Sequence, residues 1–387
     1  MFRIIDFTLL NCLHSGLKRV SLLTQHQHEE LHRYIRAGWI DFWDSTSAGR
    51  APLMCLPPVA GKRYRGTADA VFSNAELLDD ESEYALILSG DHVYQMDYGD
   101  LLKQHAEKNA DLTIATVENP VREASSFGVV EVTETFRVTG FQEKPAKPRP
   151  MRSDPSMALV SMGVYVFKKT VLLDSLRALC GSGLGYDFGH DIIPALIQSS
   201  RIYAHNFRDQ TQKVPHYWRD IGTIDAYYAA SMDLVREDSP FDPYMNDHWA
   251  SQATPHPILS SSAQTRNKQA RLRSHPQAVR TVLSPGAEIE DGATVYESVL
   301  MPGVRVGKGA QLRRVIVEEG VQIPARFCAG FDLDSDRRQH TVTDTGVVVI
   351  AHAPSNTKRP VLPVSFNGAR TRAVEIVRDA DAIRATA

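Results

Sequence analysis

Short apolar runs alternate with longer stretches of helix-like spacing through the first 235 residues. VSLLTQ (Val20 to Gln25), YALILSG (Tyr84 to Gly90), DLTIATVE (Asp111 to Glu118) and ALVSMGVYVF (Ala158 to Phe167) predict strands, because β-branched and other apolar residues cluster there over strand lengths between polar boundaries. Asp69 to Leu78, Tyr98 to Asn109 and Lys169 to Ala178 carry apolar residues at helical intervals and predict helices. Alternation of this kind predicts an α/β layered domain with a mixed sheet over residues 1–235.

The pattern then changes twice. Residues 236–280 hold DSPFDPYMNDHW, ATPHP, SSSAQTRNKQ and RSHPQ, polar segments rich in breakers that predict a linker. Beyond it, Ala287, Ala293 and Val299 recur every six residues, and after a slip of one residue Val304, Ala310 and Ile316 do the same. Glycines at 286, 292, 303, 307, 309 and 320 punctuate the run. A six-residue period cannot serve an α-helix, but it suits a triangular solenoid in which each side turns one small or branched residue inward. Residues 281–387 are therefore expected to form a parallel β-helix with a C-terminal tail; an irregular antiparallel domain with glycine turns is the alternative.

Composition narrows the classes of function. A chain of 387 residues with 43% apolar and 23% charged side chains is long enough for two cored domains. Its 43 basic and 46 acidic residues leave a formal charge of -3, which gives no reason to expect nucleic acid or a membrane surface as partner. Cys12, Cys55, Cys180 and Cys328 are scattered, without a CxxC pair, and fit a reducing compartment. With neither a signal-peptide pattern in MFRIIDFTLLNCLHSGLKRV nor an apolar run of membrane-spanning length, the cytoplasm is the expected location.

Candidate chemistry collects at strand ends and helix starts. Asp91 follows YALILSG, and Gly90 before it permits close backbone approach. Alone, Asp91 reads as a capping or turn residue ahead of a metal ligand. Asp220 in HYWRDIGTIDAYYAA is a second carboxylate at a predicted strand end, and the two together could hold Mg²⁺. In KRYRGTADAVFSN, Thr67 is a candidate N-cap with Asp69 in the first turn, and the helix start also offers N–H groups to a phosphate. In GFQEKPAKPRP, Pro145 predicts an extended Lys144, whose ammonium either reaches a phosphate or lies in a solvated turn. The histidines, His92 and His190 among them, are dispersed, and Phe127 and Tyr165 are expected to pack rather than stack on a base.

Taken in order, FRIIDFTLLNCLHSG, YRGTADAVFSN, LILSGDHVYQMDY, SSFGVV, FQEKP, SMGVYVF, DFGHDIIP and YWRDIGTIDAYY closely resemble the bacterial glucose-1-phosphate adenylyltransferases. The resemblance covers about residues 2–235 and resumes in the repeats after about 280. It implies a Rossmann-like nucleotidyltransferase domain followed by a left-handed parallel β-helix, and the conversion of ATP and glucose 1-phosphate to ADP-glucose and pyrophosphate. It also implies Asp91 and Asp220 as Mg²⁺ ligands and Lys144 at the sugar phosphate. Tyr64, Gly66 and Thr67 would lie on the nucleotide side, and Gly128, Glu143, Ser161 and Asp187 around the glucose. A homotetramer controlled by a small metabolite is implied as well, with Arg19, Arg313 and Arg314 at positions associated with that control.

Members of this family reach the FRIIDF motif only after a strand, a GGxGxRL loop and an AKP-type segment, whereas this chain starts at Met1 just ahead of it. The resemblance thus leaves three accounts: a start further upstream, a shortened and impaired remnant, or a non-catalytic homologue that joins an active relative. Without a first strand the sheet is expected to expose an edge, with poor solubility or activity of the chain as written. Other departures are Ser73 in VFSN where glutamine is usual, His190 where lysine is usual, and Arg63 where an aromatic residue often stands. WPI and PPAKF segments are not recognisable around Trp249 and Pro257.

Overall fold

The computed structural model describes residues 3–26, 28–45, 53–58, 62–209, 211, 214–236, 239, 277–352 and, for the backbone, 374–378. Two compact units emerge, one built on residues 4–220 with 371–387, the other on residues 221–370 with 1–3.

The first unit opens with helix α1 (Ile4–His14), buried nearly all round, and strand β1 (Arg19–Leu23). Helices α2 (His28–Gly38) and α3 (Ile40–Ser45), strand β2 (Met54–Leu56) and helix α4 (Thr67–Phe72) follow. Then come strands β3 (Tyr84–Ser89) and β4 (His92–Tyr94), helix α5 (Tyr98–Glu107) and strand β5 (Leu112–Pro120). The hairpin β6 (Gly128–Val132) and β7 (Val138–Glu143) leads into β8 (Met157–Lys168), helices α6 (Lys169–Leu179) and α7 (Ile193–Leu196), and strands β9 (Ile202–Asn206) and β10 (Trp218–Asp220).

All of these strands but β4 and β10 join Val374–Arg378 in a mixed nine-stranded sheet. Ala85 to Leu88 of β3 are buried without alternation, as expected of a strand covered on both faces. Strand β8 runs antiparallel to both β3 and β5, and β9 runs parallel to β5, so the carboxyl ends of β3, β5 and β9 gather on one edge. Ala70, Val71, Ile114, Phe167 and Phe188 lie in the main core beneath.

One strand comes from the far end of the sequence. Val374–Arg378 lies between β1 and β3, antiparallel to each, with Ile376 opposite Ser21 on one side and Ile87 on the other. The open edge expected beside these strands is therefore closed, because both ladders are satisfied by the chain's own C-terminal residues. The expected 281–387 domain loses this strand to the sheet.

In the second unit, three parallel ladders form the faces of a solenoid. Each coil advances 17 residues, from Val295 to Leu312 and on to Ala329, rather than three full sixes, because one side is a residue short at the slip between Val299 and Val304. Ala293, Val299, Val304 and Ala310 are fully buried, whereas Ala287 near the first coil is only partly so. Helix α8 (Ile224–Val235) belongs to this unit. Its Tyr228 packs on Val299, Ile316, Val347 and Val349 and donates to the Glu297 carbonyl at 2.7 Å. Compactness thus divides the chain after Asp220, earlier than the boundary at 235 suggested by periodicity. Most of the expected linker lies outside the described residues, as do Trp249 and Pro257; its last residues, Ala278–Val279, already pair with Val295 and Tyr296.

Candidate active site

The carboxyl edge of β3 is braced from behind by α1. Thr8 Oγ1 donates to the Ser89 carbonyl at 3.4 Å, Asn11 Nδ2 donates to the Tyr94 carbonyl at 3.3 Å, and Asn11 Oδ1 accepts from Met96 N at 3.1 Å. Asp6, buried in the same helix, accepts from Tyr34 and from the Trp39 indole. The FRIIDFTLLN segment is thereby the support of the loop that carries Asp91, a role its sequence did not disclose.

Asp91 and Asp220 meet because β4 and β10 form a two-stranded antiparallel ribbon. In that register Asp220 stands opposite His92, next to Asp91. His92 Nε2 lies 3.4 Å from Asp91 Oδ1 and 3.9 Å from Asp220 Oδ1, and one donor atom from each of the three residues falls within 4.8 Å of the others. Asp91 Oδ1 is buried and accepts no hydrogen bond among the described residues. A buried carboxylate oxygen in that condition is costly unless a cation or water meets it. Two carboxylates at the edge of a sheet fit a hard divalent cation that keeps its other positions for phosphate oxygens and water.

A second cluster surrounds Thr67 and Asp187. Thr67 Oγ1 donates to Asp187 Oδ2 and accepts from Phe188 N, both at 3.1 Å. Asp187 Oδ1 accepts from Gly189 N and His190 N, capping the π-turn Phe188–Ile192. Glu143 reaches the same place: a β-carbon at Gly189 would lie 2.5 Å from Glu143 Oε2, and one at Gly128 3.1 Å from it. Gly128 and Gly189 thus leave room for this carboxylate. Phe127, just before Gly128, packs edge-on against Trp218, which packs edge-on against His92, so aromatic contacts link the two clusters.

The helix start at Gly66 differs from expectation. The Tyr186 carbonyl accepts from Ala68 N and Asp69 N, so these N–H groups are taken up within the fold. Gly66 is required by contact, since a β-carbon there would lie 2.3 Å from the Tyr186 oxygen. Asp69 accepts from the Arg65 backbone and side chain, and the Arg65 guanidinium stacks over Tyr186 at 3.7 Å. Tyr64 is held by Gln25 at its carbonyl and by Asn74 at its hydroxyl; burial raises its pKa.

Lys144 corrects a second expectation. Its φ is +46°, left-handed rather than extended, although Pro145 follows. The reason is the hairpin end: Gly128 pairs with Glu143, and Lys144 N then donates to the Phe127 carbonyl at 3.0 Å, turning the chain sharply. Its ammonium lies 3.6 Å from Glu143 Oε1. Ser161 is buried in β8, sharing a 3.3 Å hydrogen bond with the Tyr165 hydroxyl; Tyr165 packs against Phe188.

The three arginines do not share one environment. Arg19 pairs with Asp80 at 3.5 Å in the first unit. Arg313 is exposed on the solenoid, while Arg314 beside it donates to the Thr345 carbonyl and covers the Tyr228 ring. Sequence reasoning did not single out Trp218, Gln25 or Asp191. The last accepts from the backbone N–H groups of Tyr186 and Asp187 and pairs with His190, whose pKa it raises. Among the described residues no helix is long and apolar enough to cross a membrane.

Residues 1–237 match the nucleotidyl transferase family model and residues 273–350 match the GlmU-like C-terminal hexapeptide model. The chain is 38% identical over 368 residues to glucose-1-phosphate adenylyltransferase 2 of Vibrio cholerae, covering 90% of this chain and 89% of that protein. It is 40% identical over 369 residues to the glucose-1-phosphate adenylyltransferase of Nitrosomonas europaea, covering 90% and 85%. With that of Albidiferax ferrireducens it is 39% identical over 370 residues, covering 91% and 88%. The chain belongs to the glucose-1-phosphate adenylyltransferase family, a nucleotidyltransferase domain followed by a hexapeptide β-helix.

Proposed function

We propose that the protein transfers the adenylyl group of ATP to glucose 1-phosphate, forming ADP-glucose, a donor for glycogen synthesis, and releasing pyrophosphate. The observation that supports this reading most is the ribbon of β4 and β10, which brings Asp91 and Asp220 together at the carboxyl edge of the sheet. The nucleophile is an oxygen of the sugar phosphate, already anionic, so the protein need supply no strong base. Its task is to align that oxygen with the α-phosphorus and to stabilise charge on the departing pyrophosphate. A divalent cation held by Asp91 and Asp220, Mg²⁺ in this reading, would neutralise phosphate charge there.

Lys144 supplies a point charge for the sugar phosphate, and its left-handed backbone aims it from the end of the hairpin. Glu143 and Ser161 serve as polar groups for the glucose, and Gly128 lines the same pocket, leaving room for the Phe141 ring and the Glu143 carboxylate. Thr67 and Asp187 act by fixing the π-turn, and Tyr64 and Gly66 by shaping the nucleotide side. Arg19 on the first unit and Arg313 on the second are each an exposed basic candidate for an anionic effector, and Arg314 fixes the solenoid next to Arg313. A homotetramer accompanies this reading, and light scattering checks it.

Pyrophosphate release by the full gene product, assayed with ATP, glucose 1-phosphate and Mg²⁺, tests the reaction. Release that requires all three supports it; release that ignores glucose 1-phosphate sinks it.

A further inference from the structure

His190 stands in the π-turn Phe188–Ile192 among carboxylates that are fixed in place. Its Nδ1 meets Asp191 Oδ1 at 2.7 Å, while Asp191 Oδ2 accepts from Tyr186 N at 2.7 Å and Asp187 N at 2.9 Å. Asp187 is held by Gly189 N, His190 N and the Thr67 hydroxyl. Glu143, at the end of β7, has one oxygen against Gly189 and the other 3.6 Å from Lys144 Nζ. The turn and the hairpin end thus bring together three carboxylates and one ammonium, and that ammonium is already drawn to Glu143. Among the other elements packed on the turn, α6 puts Leu172 and Leu176 into the core with Phe188 and Ile192, and its Arg177 pairs with Asp174. Helix α7 carries no charged residue, and Arg65, ahead of α4, is bound to Asp69 and the Tyr186 hydroxyl. With His190 neutral, this rim is anionic towards a substrate that is itself a phosphate dianion. Protonated, the imidazole supplies a second positive charge, on a side chain 78% exposed and open to a ligand.

We propose that His190 determines affinity for the sugar phosphate: its imidazolium form favours binding of glucose 1-phosphate, and its neutral form disfavours it. The inference rests on the adenylyl-transfer reading above and adds a proton-dependent control over the second substrate. The hydrogen bond and charge of Asp191, with the charges of Asp187 and Glu143, raise the pKa of His190 above the ordinary 6.5. The favourable charge is therefore complete below 6.5 and is lost as pH rises through the raised value. Lysine at this position keeps a charge across that window, and glutamine never carries one.

The test is the Michaelis constant for glucose 1-phosphate in the pyrophosphate-release assay, for wild type, His190→Lys and His190→Gln at low salt. Position 190 is exposed, and both variants retain the backbone N–H that Asp187 accepts, so the turn keeps its cap. Each constant is divided by that of the lysine variant at the same pH, which cancels the second ionisation of the substrate phosphate at about 6. The wild-type ratio should be about one near about pH 6 and rise about three- to tenfold by about pH 9, where it meets that of the glutamine variant. Added salt should shrink the rise. A wild-type ratio that does not change with pH overturns the proposal, because a purely structural role shifts the constants alike at every pH. An equal rise in the Michaelis constant for ATP overturns the assignment to the sugar phosphate. In both of those cases, release that still requires glucose 1-phosphate leaves the reaction standing, whereas release that ignores it sinks the reaction and this role together.

Discussion

Thr67 and Asp187 are joined by a 3.1 Å hydrogen bond that ties the start of α4 to the π-turn, and Phe188 N returns a second bond to the same threonine hydroxyl. Removing the hydroxyl in Thr67→Val breaks both, and Asp187→Asn weakens the first along with the cap of the turn. In urea unfolding the two substitutions should couple by about 0.5–1.5 kcal/mol in a double-mutant cycle. Simple additivity would remove the structural role assigned to the pair.

Asp91→Asn and Asp220→Asn should each lower turnover in the pyrophosphate-release assay by about two to four orders of magnitude, the several kcal/mol that cation stabilisation of phosphate charge supplies. The double variant should be little worse than either single one, because both act through one ion. Near-wild-type turnover of either would refute its role as a ligand.

Lys144 separates backbone from charge. Lys144→Gly relieves a left-handed side-chain residue before proline, so thermal stability should hold or rise by about 1 kcal/mol. The Michaelis constant for glucose 1-phosphate should rise about tenfold or more, as for loss of a charged hydrogen bond. An unchanged constant would show that the ammonium does not meet the sugar phosphate.

Burial pushes His105 down to about 4, and its Nδ1 shares a 2.8 Å hydrogen bond with Thr113 Oγ1. The unfolded chain takes up this proton near the ordinary 6.5, while the folded protein resists until about 4. The unfolded state therefore binds more protons in that window, and stability falls as pH drops from 6.5 towards 4, by up to about 3 kcal/mol from this residue. His105→Gln should flatten the acid limb of stability against pH; identical slopes would exclude His105 as its source.

Deleting residues 371–387 should leave β1 and β3 with unpaired inner edges where Val374–Arg378 now lies. Light scattering and soluble yield should then report aggregation. A soluble, monodisperse deletion product would show that the strand is dispensable.

The parts of the fold visible in sequence were those with a period to read. YALILS and ALVSMGVYVF were long enough to declare strands, and the spacing of Ala293, Val299, Val304 and Ala310 declared the coils. Helix α1 escaped because it is buried nearly all round and shows no polar face. Strands β4 and β10, of three residues each, are too short for alternation, yet their pairing is what joins Asp91 to Asp220. Resemblance supplied that partnership; propensity did not. Lys144 was misread because the local effect of Pro145 yielded to the hairpin hydrogen bond at Phe127. No local pattern announces that Val374–Arg378 pairs with strands several hundred residues earlier.

That last pairing fixes a timetable for biogenesis. The ribosome makes β1 and β3 first and the whole solenoid afterwards, and only then releases the five residues that fit between them. The catalytic sheet therefore cannot close during synthesis, however early its other strands emerge. Its two halves must wait with unpaired edges until Val374–Arg378 has been made, the interval in which a chaperone has most to protect.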